Sequence, residues 1–174
     1  QADWVTYGAH FFLPQNYELR SYEELSTQPG LLRKLMPDLI VCDEVHKLKS
    51  LSSARTRRVK KYLSYCVRSG RDLPKFVGLS GSITSTSIHD YWHLCLWALV
   101  EKSPLPTKWP LLEAWASVLD EGRAGKRADL TTLRPLMELF GTSSPREAFM
   151  RNLTSSLGVV VSRKPSPPCK LKIS

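Results

Sequence analysis

Leu39-Ile40-Val41-Cys42-Asp43-Glu44-Val45-His46 is the stretch whose reading decides the fold. Four apolar residues, two of them β-branched, run directly into two acids, a spacer and a histidine. A continuous apolar run of this kind suits a strand buried on both faces, as in the parallel sheet of an α/β protein. Pro37 and Asp38 punctuate its start, which favours strand over helix. Open α/β sheets bind ligands beyond the carboxyl ends of their strands, and Asp43, Glu44 and His46 fall there. One of two adjacent carboxylates can hold Mg²⁺ through water while the other orients or deprotonates an attacking water. The plainer alternative is that the acids start a loop or cap the next helix, with His46 incidental.

Outward from this stretch, Ser52 or Ser53 can cap a helix whose apolar stripe is Val59, Tyr62, Leu63, Cys66 and Val67. Arg55, Arg57, Arg58, Lys60, Lys61 and Arg68 fill the rest of it, and Gly70 ends it. Phe76-Val77-Gly78-Leu79 predicts a second short strand, followed by Ser80-Gly81-Ser82-Ile83-Thr84. Strand, helix and strand over this length predict a βαβ unit whose two strand ends face one rim. Upstream, Tyr17–Arg20 is a short strand candidate. Ser21 with Glu24 is a capping-box pattern, and Gln28-Pro29-Gly30 breaks that helix before a shorter one over 31–36. Trp4–Tyr7 and Phe11–Leu13 have mixed strand character.

Downstream, Ser87 with Asp90 is expected to cap a nearly all-apolar helix running to Leu99. On it His89, His93 and Cys95 read as packed side chains, since no second ligand pair accompanies them. Pro104 and Pro106 suggest a linker. Pro110 opens a helix with Leu111, Leu112, Trp115, Val118 and Leu119. Leu130, Leu133, Met137 and Phe140 mark another, ended by Gly141, and Ser144-Pro145-Arg146-Glu147 opens one more. Val159–Val161 is a strand candidate. The five tryptophans read as core or interface residues before base-stacking ones.

The chain has 174 residues, of which 42% are hydrophobic and 24% charged, a composition that fits a soluble domain with its own core. No apolar run approaches a membrane span, and no secretory leader is expected. Cys42, Cys66, Cys95 and Cys169 lack C-x-x-C spacing and read as reduced, mostly buried thiols. Twenty-five Lys+Arg against 16 Asp+Glu leave a net charge of +9. That surplus favours a polyanionic partner, most often nucleic acid. Arg55, Arg57, Arg58 and Lys61 are the candidate phosphate contacts, with a solvated face as the alternative.

The block from Asp38 to Leu99 resembles the motor core of superfamily-two helicases and translocases, in particular the Swi/Snf-like DNA-dependent ATPases of bacteria and phages. Asp43-Glu44-Val45-His46 is similar to the DExH form of the Walker B motif, and Lys47, Lys49 and Ser50 to its basic continuation. Leu79–Thr84 is similar to the family's coupling motif, and Ser21-Tyr22-Glu23 to an element lying near the nucleic acid. The resemblance implies an α/β, three-layer RecA-like lobe with a mostly parallel sheet, incomplete at its N-terminal side, over 1–103. Residues 104–174 would then form a helical extension towards a second lobe. It implies ATP and Mg²⁺ as cofactors, with Asp43 holding the metal through water and Glu44 polarising the attacking water. His46 would link them to Ser80, Gly81, Ser82 and Thr84, and Ser21, Tyr22, Lys47 and Lys49 would border DNA or RNA. The location expected is the cytoplasm, or the nucleus in a eukaryote.

Two departures stand out. Ile83 replaces a proline usual in the family. No G-x-x-x-x-G-K-[ST] loop occurs, since Gly122–Arg127 has the wrong glycine spacing and ends in arginine. The expectation is therefore a piece of a larger ATP-driven DNA motor, in which the phosphate loop lies elsewhere. The competing expectation is a non-catalytic basic module that binds nucleic acid or docks. A metal-dependent nuclease using Asp43 and Glu44 is weaker, because no further acids follow at the rim.

Overall fold

Local capping chemistry sets the first elements of the chain. The computed structural model describes residues 16–80, 87–120 and 130–160. Helix α1 (Tyr22–Thr27) opens on the reciprocal capping box. Ser21 Oγ accepts from the Glu24 amide at 3.1 Å, and Glu24 Oε2 accepts from the Ser21 amide at 2.7 Å. Donation from Ser21 holds the Glu24 carboxyl below its ordinary range. Helix α2 (Leu31–Leu35) ends on Met36 in the left-handed region, φ 49°. Strand β1 (Leu39–Cys42) leads into a single 3₁₀ turn, Val45–Leu48. Helix α3 (Ala54–Arg68) is capped by Ser53, whose Oγ accepts from the Thr56 amide at 3.3 Å, and Gly70 at φ 65° makes the reversal beyond it. Strand β2 (Lys75–Gly78) completes the series.

The three-layer RecA-like lobe with a mostly parallel sheet is corrected by this structure. The described residues are 58% helical and carry two parallel strands in one sheet, β1 beside β2, so that each strand is also an edge. The helicase, RecA-like and ATP-binding descriptions attached to that lobe conflict with this helix-rich, sheet-poor fold. The physical reason lies in β1 itself. Its burial alternates, with Cys42 at 7% exposure while Leu39 and Val41 stand at 51% and 49%. A four-residue apolar run is compatible with cover on both faces but does not supply the second cover. Tyr17–Arg20 and Val159–Val160 form no strand, and Val160 is 90% exposed. The adjacency assumed for the two strands does hold, so their carboxyl ends share one edge.

By compactness the chain divides into Gln1–Val77 and Gly78–Ser174. The core of the first unit is the stripe of α3. Val59, Tyr62 and Cys66 are buried as their spacing predicts, and Thr56 extends the stripe one turn earlier, while Val67 is left exposed. The Thr56 hydroxyl donates to the Leu48 carbonyl at 2.9 Å, and the Tyr62 hydroxyl to the Pro37 carbonyl at 3.3 Å. Val45 and Leu48 bury the underside of the 3₁₀ turn.

The second unit packs α4 (His89–Leu99), α5 (Trp109–Leu119), α6 (Arg134–Leu139) and α7 (Pro145–Ser155). Its core is Ile88, Leu105, Leu112, Ala116, Phe149 and Leu153. The segment around Pro104–Pro106 is packed rather than a loose linker. Leu105 is 2% exposed, the Pro106 carbonyl accepts from Trp92 Nε1 at 2.7 Å, and that of Pro104 from Asn152 Nδ2 at 2.9 Å. The start of α4 also differs from expectation. The Asp120 carboxylate, from beyond the end of α5, accepts from the Ile88 amide at 2.9 Å and from the Ser87 hydroxyl. Ser144-Pro145-Arg146-Glu147 opens α7 as expected, with Ser144 Oγ accepting from the Glu147 amide, while the Glu147 carboxylate pairs with Thr142 and Arg151.

Cys42, Cys66 and Cys95 are free thiols. Burial pushes Cys42 and Cys95 each up to about 11 from an ordinary 9. The folded state therefore holds more protons than the unfolded one between those values, and stability contributed by the neutral thiols falls as pH rises from 9 towards 11. Alkylation by iodoacetamide near pH 8 should be slow at Cys42 and Cys95 in the folded chain and fast in urea. Equal rates in both would show that the thiols are not buried.

Candidate functional site: an acidic turn and a basic helix face

The end of β1 carries the acids on a tight reversal. Asp43 is exposed immediately beyond the strand. Glu44 takes the left-handed conformation, φ 53° and ψ 51°, and its carbonyl accepts from the Lys47 amide at 2.9 Å to start the 3₁₀ turn. A non-glycine residue there costs about 1–2 kcal/mol. The Glu44 carboxylate meets His46 two residues on, Oε2 lying 3.0 Å from Nδ1. Val45 and Leu48 point inward, so the turn displays its polar side and buries its apolar one.

Tyr22 sets the position of this turn. Its hydroxyl donates to the Asp43 carbonyl at 2.7 Å, tying α1 to the strand end across 21 residues of sequence. Burial, with Cys42 and Asp43 close by, raises the phenol well above its ordinary value, so it stays protonated and donating. Lys47 Nζ lies over the Tyr22 ring, 5.6 Å from its centroid. Ser21 is occupied in capping α1. In this structure Ser21 and Tyr22, grouped from sequence with the nucleic-acid contacts, have structural partners: Ser21 caps α1, and Tyr22 holds the acidic turn in place.

The cations fall in two places. Lys47 and Lys49 are exposed on and just after the 3₁₀ turn. On α3, Arg55 is half-buried beside Tyr22, with Nε buried and lacking a hydrogen-bond partner. Arg57 and Lys61 are exposed, and Arg58 leans on α1, its Nη2 donating to the Ser26 carbonyl at 3.3 Å. Sequence reasoning missed Arg33 on α2, whose guanidinium sits over the Tyr65 ring at 4.3 Å. The signal available was the Arg33–Lys34 pair at the end of a short helix next to the basic one. Ser80 lies two residues beyond β2, and Gly81, Ser82 and Thr84 fall outside the described residues, as does Gly122–Arg127.

Among the described residues no cluster of three or more His, Cys, Asp or Glu side chains could hold a metal ion by itself. Mg²⁺ commonly takes one or two carboxylates and completes its shell with water and substrate phosphates. The exposed Asp43 carboxylate, next to Glu44, fits that lesser requirement. His89 is engaged by carboxylates in the second unit, with Nε2 3.0 Å from Glu113 Oε1, and buried His93 packs edge-on against Trp97.

Tyr22→Phe should remove one long-range hydrogen bond and cost about 0.5–1 kcal/mol of stability, read as a lower urea midpoint at constant slope. The same variant should broaden the Asp43–His46 amide resonances in an NMR spectrum. An unchanged midpoint and spectrum would show that the turn does not depend on Tyr22. No family model, curated protein or solved structure matches the chain.

Proposed function

We propose that this chain binds nucleic acid, DNA in the first instance, through the phosphate backbone by way of the cations of α3 and the 3₁₀ turn. The observation that carries the reading is the make-up of α3. Its buried stripe uses Thr56, Val59, Tyr62 and Cys66, and the remaining faces carry Arg55, Arg57, Arg58, Lys60, Lys61 and Arg68 with no acid on the helix. Lys47 and Lys49 add to the same sign of charge. A surface of one sign attracts a polyanion over roughly a Debye length, about 8 Å at physiological salt. Such contacts position a strand without reading bases. Binding should therefore weaken steeply with salt and be similar for two unrelated duplexes. Replacing Arg57, Arg58 and Lys61 with Ala should lower the log–log salt slope by about 0.9 for each phosphate that is no longer neutralised. An unchanged slope would return the helix to a solvated face.

A second reading concerns the acid pair and is favoured by the strained, carboxylate-bearing Glu44 at the strand end. Here the chain contributes a water-activating carboxylate to hydrolysis of a phosphoanhydride within a larger protein. Asp43 would hold Mg²⁺ through water, and that ion would supply charge neutralisation at the phosphates. Glu44 accepts a proton from the attacking water, and His46 fixes the Glu44 carboxylate through Nδ1. In the larger protein, Glu44→Gln should abolish most turnover while nucleotide affinity survives, because the substitution keeps shape and removes the base. Normal turnover by that variant would end this reading. The 174-residue chain alone should not hydrolyse ATP.

A further inference from the structure

A half-open cavity of about 480 Å³ lies between the α1–α2 segment and α3, and no residue of the acidic turn lines it. Four cations line it: Arg33 from α2 and Arg58, Lys61 and Arg68 from α3, with no carboxylate among its lining residues. The acids of α1, Glu23 and Glu24, sit at that helix's opposite end, in its first turn. Two of the cations are held in place from outside. Arg33 rests on the Tyr65 ring, and Arg58 is anchored by the Ser26 carbonyl. Arg58 Nε is buried and lacks a hydrogen-bond partner, a donor for which the fold provides no acceptor. Leu25, Pro29 and Leu32 give the wall an apolar part, beside Gln28, Gly30 and Tyr62.

We infer that this cavity is a phosphoryl-binding pocket that seats one nucleotide unit of a bound single strand. The inference rests on the nucleic-acid reading above and adds to it a discrete site and a further residue, Arg33. Pre-positioned guanidinium forks match phosphate oxygens in pairs, which favours a phosphoryl group over a single carboxylate. Four positive charges around one cavity also exceed what one carboxylate neutralises. The volume is in the range of small-ligand sites, and the apolar wall offers a surface for the sugar or base face next to the phosphate. A strand and a free nucleotide share this chemistry, so the test must separate them.

The experiment uses the intact chain with two probes, labelled oligothymidylate followed by anisotropy and thymidine monophosphate followed by the Gly30 amide resonance. Arg33→Ala with Arg68→Ala is compared with Lys34→Ala with Lys75→Ala, a pair in the same unit that removes equal charge from outside the cavity lining and from residues with no part in the nucleic-acid reading. The pocket pair should weaken oligothymidylate binding by about tenfold or more and lower the salt slope by about 0.7 for each phosphate that is no longer neutralised. The matched pair should do clearly less. Arg33→Lys with Arg68→Lys, which keeps the charge and loses the forks, should fold normally and recover only part of the affinity. Equal loss in the two alanine pairs, or no loss in either, would overturn the pocket while leaving the nucleic-acid reading intact. If wild type ignores oligothymidylate but thymidine monophosphate shifts Gly30, and the pocket pair abolishes that shift, the phosphoryl pocket holds and the strand reading fails. Silence from both probes overturns both.

Discussion

Two hydroxyls on the buried face of α3, Thr56 and Tyr62, grip the chain on either side of the acidic turn. One donates to the Leu48 carbonyl and the other to the Pro37 carbonyl. The six-residue spacing covers about 9 Å of helix, and between the two grips lie the whole of β1, Asp43, Glu44 and His46. Each bond contributes on the order of 1 kcal/mol net, whereas burying Val59 or the Tyr62 ring contributes about 1.5–3 kcal/mol each. Burial of the stripe therefore holds α3 in place, and the hydroxyls choose where along it the strand segment sits. Tyr22 adds a third grip from α1 at the Asp43 carbonyl. The site geometry depends on these anchors more than on the sheet, which has a single neighbour for each strand.

The same helix explains the electrostatic character of the first unit. Arg57 with Lys61, and Arg58 with Lys61, stand four and three residues apart, which makes them neighbours on the helix surface. Each like-charge pair costs about 0.2–0.5 kcal/mol, less than one well-buried side chain contributes. The fold tolerates the repulsion because the apolar stripe outweighs it. A polyanion laid along this surface, as proposed above, would relieve that repulsion. The cation over Tyr65 and the one anchored on Ser26 show a further consequence. Arginine stems and planes find partners inside the unit while their charge stays uncompensated.

What is legible in the sequence is what local chemistry controls. The Ser21–Glu24 box, the Ser53 and Ser144 caps, Pro110 and Pro145 in first turns, and the left-handed glycines at 70 and 141 each act within a few residues. The α3 stripe is legible because a 3.6-residue period leaves few other ways to bury Val59, Tyr62 and Cys66. What is not legible depends on distant partners. Ser87 Oγ does accept from the His89 amide at 3.2 Å, but its further partner at the start of α4 is Asp120 from 33 residues away, which no local pattern announces. Thr56 is polar by type, yet it is fully buried because Leu48 offers its hydroxyl an acceptor. The largest discrepancy comes from β1. An apolar strand ending in Asp-Glu-x-His reads as the centre of a layered sheet, although Leu39 and Val41 remain exposed. A strand sequence specifies its own extended backbone and says little about the number of strands beside it.

Glu44 poses the last question, because stability of the fold alone does not account for it. The reversal from β1 into the 3₁₀ turn needs a residue with φ near 53°. Glycine or asparagine meets that need at lower cost, and glutamate there is strained by about 1–2 kcal/mol. Its carboxylate recovers part of this against His46, but both partners are nearly half exposed, at 49% and 44%. Solvent-screened pairs of that kind contribute about 0–1 kcal/mol. The balance is therefore close to zero at best and negative at low salt-bridge strength. A neighbour that gained from the arrangement would be one that used the carboxylate itself, as a proton acceptor or as a charge beside Asp43. Met36 and Val100 carry a positive φ as well, and of the three it is Glu44 that is flanked by Asp43 and His46, at the polar side of a turn fixed by Tyr22, Thr56 and Tyr62, where strain can serve chemistry.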